Sequence, residues 1–189
     1  MDPRVDRIYR GHGAPVSAVA FRSDGKLLYS GASDGKILVW SFQPDHRPFS
    51  FEGHQDTVTD LCHSDASGLL ASASADKSIR LWRSKLQRAP FILRGHSACV
   101  RSIDFARSGK LLLSASDDKT VKAWQAATRQ FLFCLCGHTN WVRACKFSHC
   151  EQLAASAGDD KKVQLWDVEC HQAIHVLQGH TAPELRMAR

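Results

Sequence analysis

In short segments along the chain, apolar residues recur at steps of two or three residues, with polar residues between them. Two examples are the segments Val100–Phe105 and Val142–Phe147. A step of two residues is typical of β-strands, and the 3.6-residue apolar period of amphipathic helices does not occur. In both segments the first apolar step spans three residues, which predicts a β-bulge. The chain is therefore expected to be all-β.

Three further strand patterns follow each such segment. Residues 111–115 form a nearly continuous run of small and apolar residues, which predicts a strand buried on both faces. Residues 79–82 alternate strictly, and residues 133 and 135 place two large apolar side chains on one face of an outer strand. Turns rich in Ser, Asp and Gly, such as residues 23–26, separate the patterns. We therefore expect units of four short strands.

Four residue types recur in one register with a constant spacing of 42 residues, for example 54 − 12. They are a histidine after glycine, a serine, an aspartate and a tryptophan. The four sets are His12, His54, His96 and His138; Ser30, Ser72, Ser114 and Ser156; Asp34, Asp76, Asp118 and Asp160; and Trp40, Trp82, Trp124 and Trp166. Such a period indicates a repeat architecture.

A unit of about 40–45 residues with four strands, Gly-His and Trp resembles the WD repeat. The resemblance implies a β-propeller, and a seven-blade ring is the common form. The predicted repeats are residues 11–52, 53–94, 95–136 and 137–178. Residues 1–10 are predicted to hold an outer, closing strand, and residues 179–189 to begin an aborted fifth repeat and tail.

Strand counting bears on the size of the ring. The predicted strand at residues 5–9 is one more than four complete blades need, since the fourth repeat already has its own outer strand. Propellers protect their edges by closing. The surplus favours a truncated part of a seven-blade ring. A closed four-blade ring and a two-chain eight-blade ring are the alternatives.

The repeated Asp, His and Ser also invite a hydrolase triad. Four periodic copies argue against catalysis, because a nucleophile needs one preorganised site. We expect instead that each aspartate accepts from the imidazole, the imidazole binds the serine and the serine binds the indole N–H. Such a network satisfies buried polar groups that would each cost about 1–3 kcal/mol if left alone.

The third and fourth repeats carry a more specific resemblance. Residues 116–124, 129–133 and 138–143 are similar to the centriolar family of WD-repeat proteins, with Arg-Gln…Phe-Leu-Phe and Asn-Trp-Val-Arg as the most specific parts. The resemblance implies a propeller in a longer protein with a coiled-coil region. It also implies a role in centriole or basal-body integrity and cilium formation, in the cytoplasm and cytoskeleton, with microtubule-associated partners.

Functional residues of a propeller are sought where the blades differ. The resemblance to WD repeats places a binding face beside the first-strand bulge and before the turn aspartate. In the first two repeats those positions carry only small, uncharged residues. In the last two they supply an aromatic residue, two arginines and two aspartates: Arg101, Asp117, Trp141, Arg143 and Asp159. Because Trp and Arg are enriched in interface hot spots, we expect this face to bind a protein.

Composition excludes several other classes. The chain has 189 residues, 43% of them hydrophobic, and a formal charge of +6. We expect no transmembrane helix and no secretory signal, and we expect its seven cysteines to be reduced. The adjacent His and Cys residues at 149–150 and 170–171 lack the spacing of zinc ligands, so no zinc site is expected. Cys134 and Cys136 are expected to be packed thiols. No enzyme motif occurs, so no catalytic residue, cofactor, metal or small-molecule substrate is expected.

Two alternative functions remain open at this point. One is a WD-repeat adaptor of another complex, in ubiquitin-ligase substrate recognition or signalling. The other is a nucleic-acid-associated protein, for which Arg4, Arg7, Arg10 and the Lys161–Lys162 pair could contact polyanions. These basic residues lack aromatic interleaving, so a solvated basic rim is favoured and nucleic acid is not expected as the partner.

Overall fold

Four antiparallel sheets make up the computed structural model, which describes residues 8–43, 47–83 and 89–179. Each sheet contains four strands in sequence order, and no helix occurs in these three ranges. All strands of a sheet come from one predicted repeat. The chain therefore forms four blades of a partial β-propeller, each built from a local stretch of sequence.

Every blade consists of four consecutive strands. The first blade contains β1 (Val16–Phe21), β2 (Leu27–Ala32), β3 (Ile37–Ser41) and β4 (Phe49–Phe51), and the second contains β5 (Val58–Ser64), β6 (Leu69–Ser74), β7 (Ser78–Arg83) and β8 (Phe91–Arg94). The third contains β9 (Val100–Phe105), β10 (Leu111–Ser116), β11 (Thr120–Gln125) and β12 (Gln130–Cys136), and the fourth contains β13 (Val142–Phe147), β14 (Leu153–Gly158), β15 (Lys162–Asp167) and β16 (Gln172–Gln178).

The predicted bulge is present where the first strand of each blade pairs with the second. In the fourth blade the register of β13 against β14 shifts between Val142 and Ala144, and the other three blades shift at the corresponding point. The prediction that the second strand is buried on both faces is also confirmed most fully in β6, where all six residues are buried. Small side chains such as Ala71 and Ala73 allow neighbouring blades to approach on both sides.

The turn between the second and third strands has the same conformation in all four blades. Its central residue has a left-handed φ, 78° at Gly35 and 67° at Lys77, with Lys119 and Lys161 in the same state. The preceding aspartate stabilises the turn by accepting a hydrogen bond from the amide two residues later, for example Asp76 Oδ1 from Ser78 N at 2.9 Å. This role alone explains an aspartate in every repeat.

Successive blades pack through apolar residues of their first and second strands. The first strands of the blades, β1, β5, β9 and β13, are called the inner strands. Tyr29 of β2 is fully buried in one cluster with Val58 and Leu61 of β5. Val100 and Ile103 of β9 complete a second cluster with the second blade, and the third and fourth blades share a third. The hydrophobic core therefore lies between the blades.

The predicted closing strand at residues 5–9 lies mostly outside the described residues and stays a prediction. Ile8 and Tyr9 belong to no strand, and residues 1–7 lie outside the described residues. Tyr9 packs against the first blade, with its ring centroid 5.4 Å from that of Trp40. Arg4, Arg7 and the predicted start of a fifth repeat beyond Gly179 also lie outside the described residues.

Candidate protein-binding face

A buried polar network joins the four repeated side chains in the third blade. His96 Nδ1 lies 2.7 Å from the Asp118 carboxylate, and Nε2 lies 2.7 Å from Ser114 Oγ. Trp124 Nε1 donates to the same Oγ at 2.8 Å. Because a carboxylate only accepts, the imidazole donates from Nδ1 and accepts the serine proton at Nε2. Every group of the quartet is thereby satisfied.

The second and fourth blades repeat this arrangement. The His54 and His138 rings contact the aspartates of their blades at 2.8 and 2.9 Å, and the serines at 2.7 and 2.8 Å. Each aspartate also accepts the amide that follows the histidine, such as Gln55 N at 3.2 Å. The carboxylate thus connects the loop that enters a blade to a turn within it.

The first blade departs from the predicted arrangement. His12 Nε2 contacts Ser30 at 2.6 Å and Trp40 donates to Ser30 at 2.7 Å, but the predicted link between Asp34 and His12 is absent. Asp34 caps the Lys36 amide, and His12 Nδ1 is buried without a hydrogen-bond partner among the described residues. Neither a loop amide nor a neighbouring hydroxyl holds the Asp34 carboxylate toward the imidazole.

Burial and hydrogen bonding shift the pKa values of the network in opposite directions. Burial lowers the pKa of His54, and its bond to Asp76 only partly offsets this. Burial alone would raise the pKa of Asp76, but hydrogen bonds from Ser78 and His54 outweigh it and lower that pKa to about 2. The pair is therefore held as a neutral imidazole beside a carboxylate. The four serines are buried, and each lies between an imidazole and an indole.

Four of the five predicted binding residues form two ion pairs. Both pairs lie where the first strand of a blade begins, and we call this edge of the third and fourth blades the rim. Arg101 of β9 donates to both oxygens of Asp117, with the shortest contact at 2.6 Å. Arg143 of β13 makes the matching pair with Asp159, at 2.8 and 2.6 Å. The hydrogen bond to the aspartate raises the pKa of each arginine. Bidentate pairing fixes the planes of both guanidinium groups.

Trp141 extends the second pair toward solvent. The side chain is 44% exposed, and the Arg143 guanidinium carbon lies 4.9 Å from its ring centroid. Arg101 and Arg143 both line a cavity of about 360 Å³ at the centre of the inner strands. The structure therefore places all five predicted residues on this rim, and Trp141 is the aromatic residue that is exposed there.

The same inner-strand positions have another role in the first two blades. Ser17 Oγ donates to Val58 O of the second blade, and Thr59 Oγ1 donates to Val100 O of the third, both over short distances. These hydroxyls bind backbone across a blade junction, whereas Arg101 and Arg143 pair within their own blades. The rim is thus chemically asymmetric, with its charge concentrated in the third and fourth blades.

A set of charged residues deeper on the inner strands was not predicted from the sequence. Asp60 accepts from the Ile103 amide of the next blade at 2.9 Å, and burial raises its pKa. Asp104 accepts from Phe147 N at 3.0 Å and pairs with Lys146 Nζ at 2.9 Å. Charged side chains at positions where other repeats carry small residues would have been the signal.

The His–Cys pairs at residues 149–150 and 170–171 make other contacts in the structure. His149 contacts Arg107, and His171 stacks on Phe133 with centroids 3.8 Å apart. Within the three described ranges, no cluster of three or more His, Cys, Asp or Glu side chains could hold a metal ion. The same ranges contain no helix of the length and apolarity that crossing a membrane would require.

Comparison with known proteins agrees with this architecture. The family profile described as WD domain, G-beta repeat matches residues 4–41, 46–83, 88–125 and 129–167. These matches begin ahead of each Gly-His pair, so the repeat boundaries set by that pair remain a prediction.

Similarity to individual proteins is confined to short stretches. POC1 centriolar protein homolog B of Xenopus laevis is 38% identical over 50 residues, or 26% of this chain and 11% of that protein. U3 small nucleolar RNA-interacting protein 2 of Homo sapiens is 41% identical over 51 residues, 27% of this chain and 11% of that protein. Eukaryotic translation initiation factor 3 subunit I of Oryctolagus cuniculus is 39% identical over 46 residues, 24% of this chain and 14% of that protein.

The matched stretches thus span only 11–14% of these relatives' own length. The profile matches, in contrast, cover most of the chain at the spacing of its four-stranded sheets. The chain belongs to the family of WD40-repeat proteins.

Proposed function

We propose that this WD40-repeat chain is a non-catalytic scaffold that binds a protein partner through the rim of its third and fourth blades. WD40 repeats serve protein–protein interaction in general. The observation that carries the assignment to this rim is the contact of exposed Trp141 with Arg143, whose guanidinium is held by Asp159. A rigid aromatic and arginine anchor loses little conformational entropy on binding.

The buried networks have a structural role in this proposal. In the second, third and fourth blades each network links a loop, a strand and a turn, and the serine oxygen is occupied by two hydrogen bonds. Activation of a nucleophile requires the serine to face a substrate and an oxyanion site. The proposal therefore assigns no catalytic residue and needs no cofactor.

The partner is proposed to be a centriolar or microtubule-associated protein. Two relatives are named POC1 centriolar proteins, from Xenopus laevis and Danio rerio, each 38% identical over a short stretch. The residues that carry the resemblance, 129–133 and 138–143, include Trp141 and Arg143. The proposal places the chain in the cytoskeleton at centrioles or basal bodies, with a role in their stability and in cilium formation.

The first experiment compares partners captured by the wild-type chain and by a Trp141→Ala/Arg143→Ala double variant. We expect the double variant to lose its specific partners, while thermal unfolding stays similar. The matched control is Phe131→Ala/Arg94→Ala, which removes an exposed aromatic residue and an arginine from the outer strands. Unchanged capture by the rim variant would refute this assignment of the binding face.

The second experiment follows the tagged chain in ciliated cells. Concentration at centrioles that depends on Trp141 and Arg143 would support the finer proposal. A diffuse distribution, with the rim still required for partner capture, would favour an adaptor of another complex, in ubiquitin-ligase substrate recognition or signalling.

A nucleic-acid function is the second candidate, because one relative is named a U3 small nucleolar RNA-interacting protein and the net charge is +6. Retention of the chain on immobilised RNA, falling steeply between about 50 and 200 mM salt, would support it. Absence of retention at the lower salt concentration would remove it.

A further inference from the structure

Two thiols lie side by side on the outer strand of the third blade. Cys134 and Cys136 are two residues apart in β12, so their side chains project from the same face. Their sulfur atoms are 3.2 Å apart. Cys136 is exposed and Cys134 is partly exposed, so the expectation that these thiols are packed is wrong. Cysteine is ordinarily one of the most buried residues, and this pair contributes little to the core.

Comparison between blades shows that these positions face solvent. The residues that correspond to Cys136 are Glu52, Arg94 and Gln178, which are all exposed. At the position of Cys134 the first blade carries Ser50, which is also exposed. Packing between blades therefore does not require a thiol at either position. What distinguishes the pair from its counterparts is the sulfur chemistry.

We propose that Cys134 and Cys136 form a reversible dithiol–disulfide couple that responds to hydroperoxides. Their separation along one strand is the geometric basis. Alternate residues of a strand lie about 6.4–6.8 Å apart between Cα atoms, which is the upper end of the disulfide range of about 4.4–6.8 Å. The sulfur atoms are already 3.2 Å apart, and the bridge forms when the strand tightens until the Cβ atoms lie about 3.5–4.5 Å apart. Such a strained and exposed disulfide is easily reduced again.

The two cysteines have different roles in the oxidation. Burial, followed by the neighbouring Cys136 thiol, raises the pKa of Cys134 to about 11, so this sulfur stays protonated. The exposed Cys136 sulfur loses its proton and attacks the peroxide oxygen, giving a sulfenic acid and hydroxide, and that proton converts the hydroxide to the first water. The Cys134 sulfur then displaces the hydroxyl group from Cys136, and its proton leaves with water. One hydrogen peroxide is reduced to two waters as two thiols become one disulfide.

Nearby residues of β11 assist the second step. Lys122 lies opposite Cys134 in the strand register, and Thr120 lies opposite Cys136. Both the Lys122 charge and a hydrogen bond from Thr120 act to lower the Cys134 pKa, against the effect of burial. These groups stabilise negative charge on Cys134 as it becomes the attacking sulfur.

The test uses the full chain, reduced and then exposed to hydrogen peroxide before free thiols are alkylated. Trypsin releases residues 130–143 between Arg129 and Arg143, and this peptide contains no other cysteine. We expect it to lose two hydrogens, to resist alkylation and to recover both thiols after reduction. Full alkylation of both cysteines, or a link to another cysteine peptide, would overturn the proposal.

Variants separate the two roles without relying on the bridge itself. In Cys134→Ser the sulfenic acid on Cys136 has no resolving thiol, so capture by dimedone should rise at least several-fold over wild type. Cys150→Ser removes an exposed thiol from a separate turn and should leave the bridged peptide unchanged. Equal capture of Cys136 in wild type and Cys134→Ser would contradict the assignment.

Discussion

The imidazole of His63 lies at the junction of the first two blades, where the other three repeats carry phenylalanine. Its side chain is 4% exposed, and its ring stacks on that of Tyr29 with centroids 5.5 Å apart. Nδ1 lies 3.4 Å from the Asp65 carboxylate without a hydrogen bond. Burial lowers the pKa of His63, although Asp65 opposes this and Arg22 and Asp24 also act on it.

A His63→Phe variant should reduce the dependence of stability on pH. The folded-state pKa lies below the ordinary value of 6.5, so the unfolded chain binds a proton first as the pH falls. The wild type therefore loses stability below about pH 6.5, by at most roughly 1.4 kcal/mol per pH unit for this group. Urea unfolding between about pH 7.5 and 5.5 measures this pH dependence of the unfolding free energy. Exposed His175→Gln serves as the control, and parallel wild-type and His63→Phe curves would contradict the argument.

A Ser114→Ala variant tests the energetic role of one buried network. It leaves Trp124 Nε1 without an acceptor and His96 Nε2 without a donor. We expect a loss of about 1–3 kcal/mol of unfolding free energy. Ser30→Ala should cost less, because the first-blade network lacks its aspartate link, and exposed Ser50→Ala should cost almost nothing. Equal losses in all three variants would show that the network is not cooperative.

At the scale of strands, neighbouring blades are joined by side chains that bind the backbone of the next inner strand. Asp104 of β9 accepts from the Phe147 amide of β13 and pairs with Lys146. The carboxylate is 5% exposed and the ammonium side chain 24% exposed. Burial lowers the pKa of Lys146, but the Asp104 carboxylate outweighs this and holds it above its ordinary value. This pair couples the third blade to the fourth.

Replacement of Asp104 by alanine should weaken that junction. Removing one partner of a buried pair leaves the other charge uncompensated, which costs about 3–5 kcal/mol. We expect roughly 3 kcal/mol here, since Lys146 still reaches solvent. Chemical denaturation measures the loss, with exposed Asp24→Ala as the control. A double Asp104→Leu/Lys146→Leu variant should recover much of it, and failure to do so would point to the Phe147 amide as the main contributor.

Strands were predictable from the sequence because their pattern is local. The alternation of Ile79 and Leu81 predicts a strand, although Arg80 and Trp82 on its other face are buried too. The three-residue step after Val142 corresponds to the bulge found there. The repeat spacing gives the number of units, while their exact boundaries stay a prediction. The blade-to-blade contacts of Asp60 and Asp104 involve residues about 43 positions away, and no local pattern reports them.

For the molecule as a whole, the exposed face of the first blade is the main asymmetry. Val19 and Phe21 are 61% and 65% exposed, whereas Ile103 and Phe105 at the corresponding positions of the third blade are 0% and 5% exposed. In the second, third and fourth blades a preceding blade covers this surface. Exposed apolar patches of this kind promote association.

The chain should therefore self-associate through this face. We expect a concentration-dependent rise in sedimentation coefficient for the wild type, and a smaller rise for Val19→Ser/Phe21→Ser. The double variant should change unfolding free energy by only about 0.5 kcal/mol, because these side chains are exposed. Ile103→Ala at the buried counterpart should cost about 2–5 kcal/mol. A monomeric wild type that melts cooperatively at all concentrations would contradict this.

The candidate face was predictable in its residue types, because Trp141, Arg143 and Arg101 break the repeat pattern. The pairing of Arg143 with Asp159 and of Arg101 with Asp117 depends on how the turn that begins at each aspartate meets the first strand of the blade. The first-blade network shows that the right residue types do not guarantee a contact, because Asp34 and His12 are not hydrogen-bonded. The first repeat contains all four network residues in register, yet the carboxylate caps its own turn instead.

By itself, the sequence determined the number of blades and the order of their strands. These properties follow from local periodicity and from turns stabilised by adjacent side chains, so a constant spacing implies repeated geometry. Only the tertiary structure decided which polar groups meet across blades and which network is incomplete. Those outcomes depend on the approach of residues from separate strands, where a shift of a few tenths of an ångström makes or breaks a hydrogen bond.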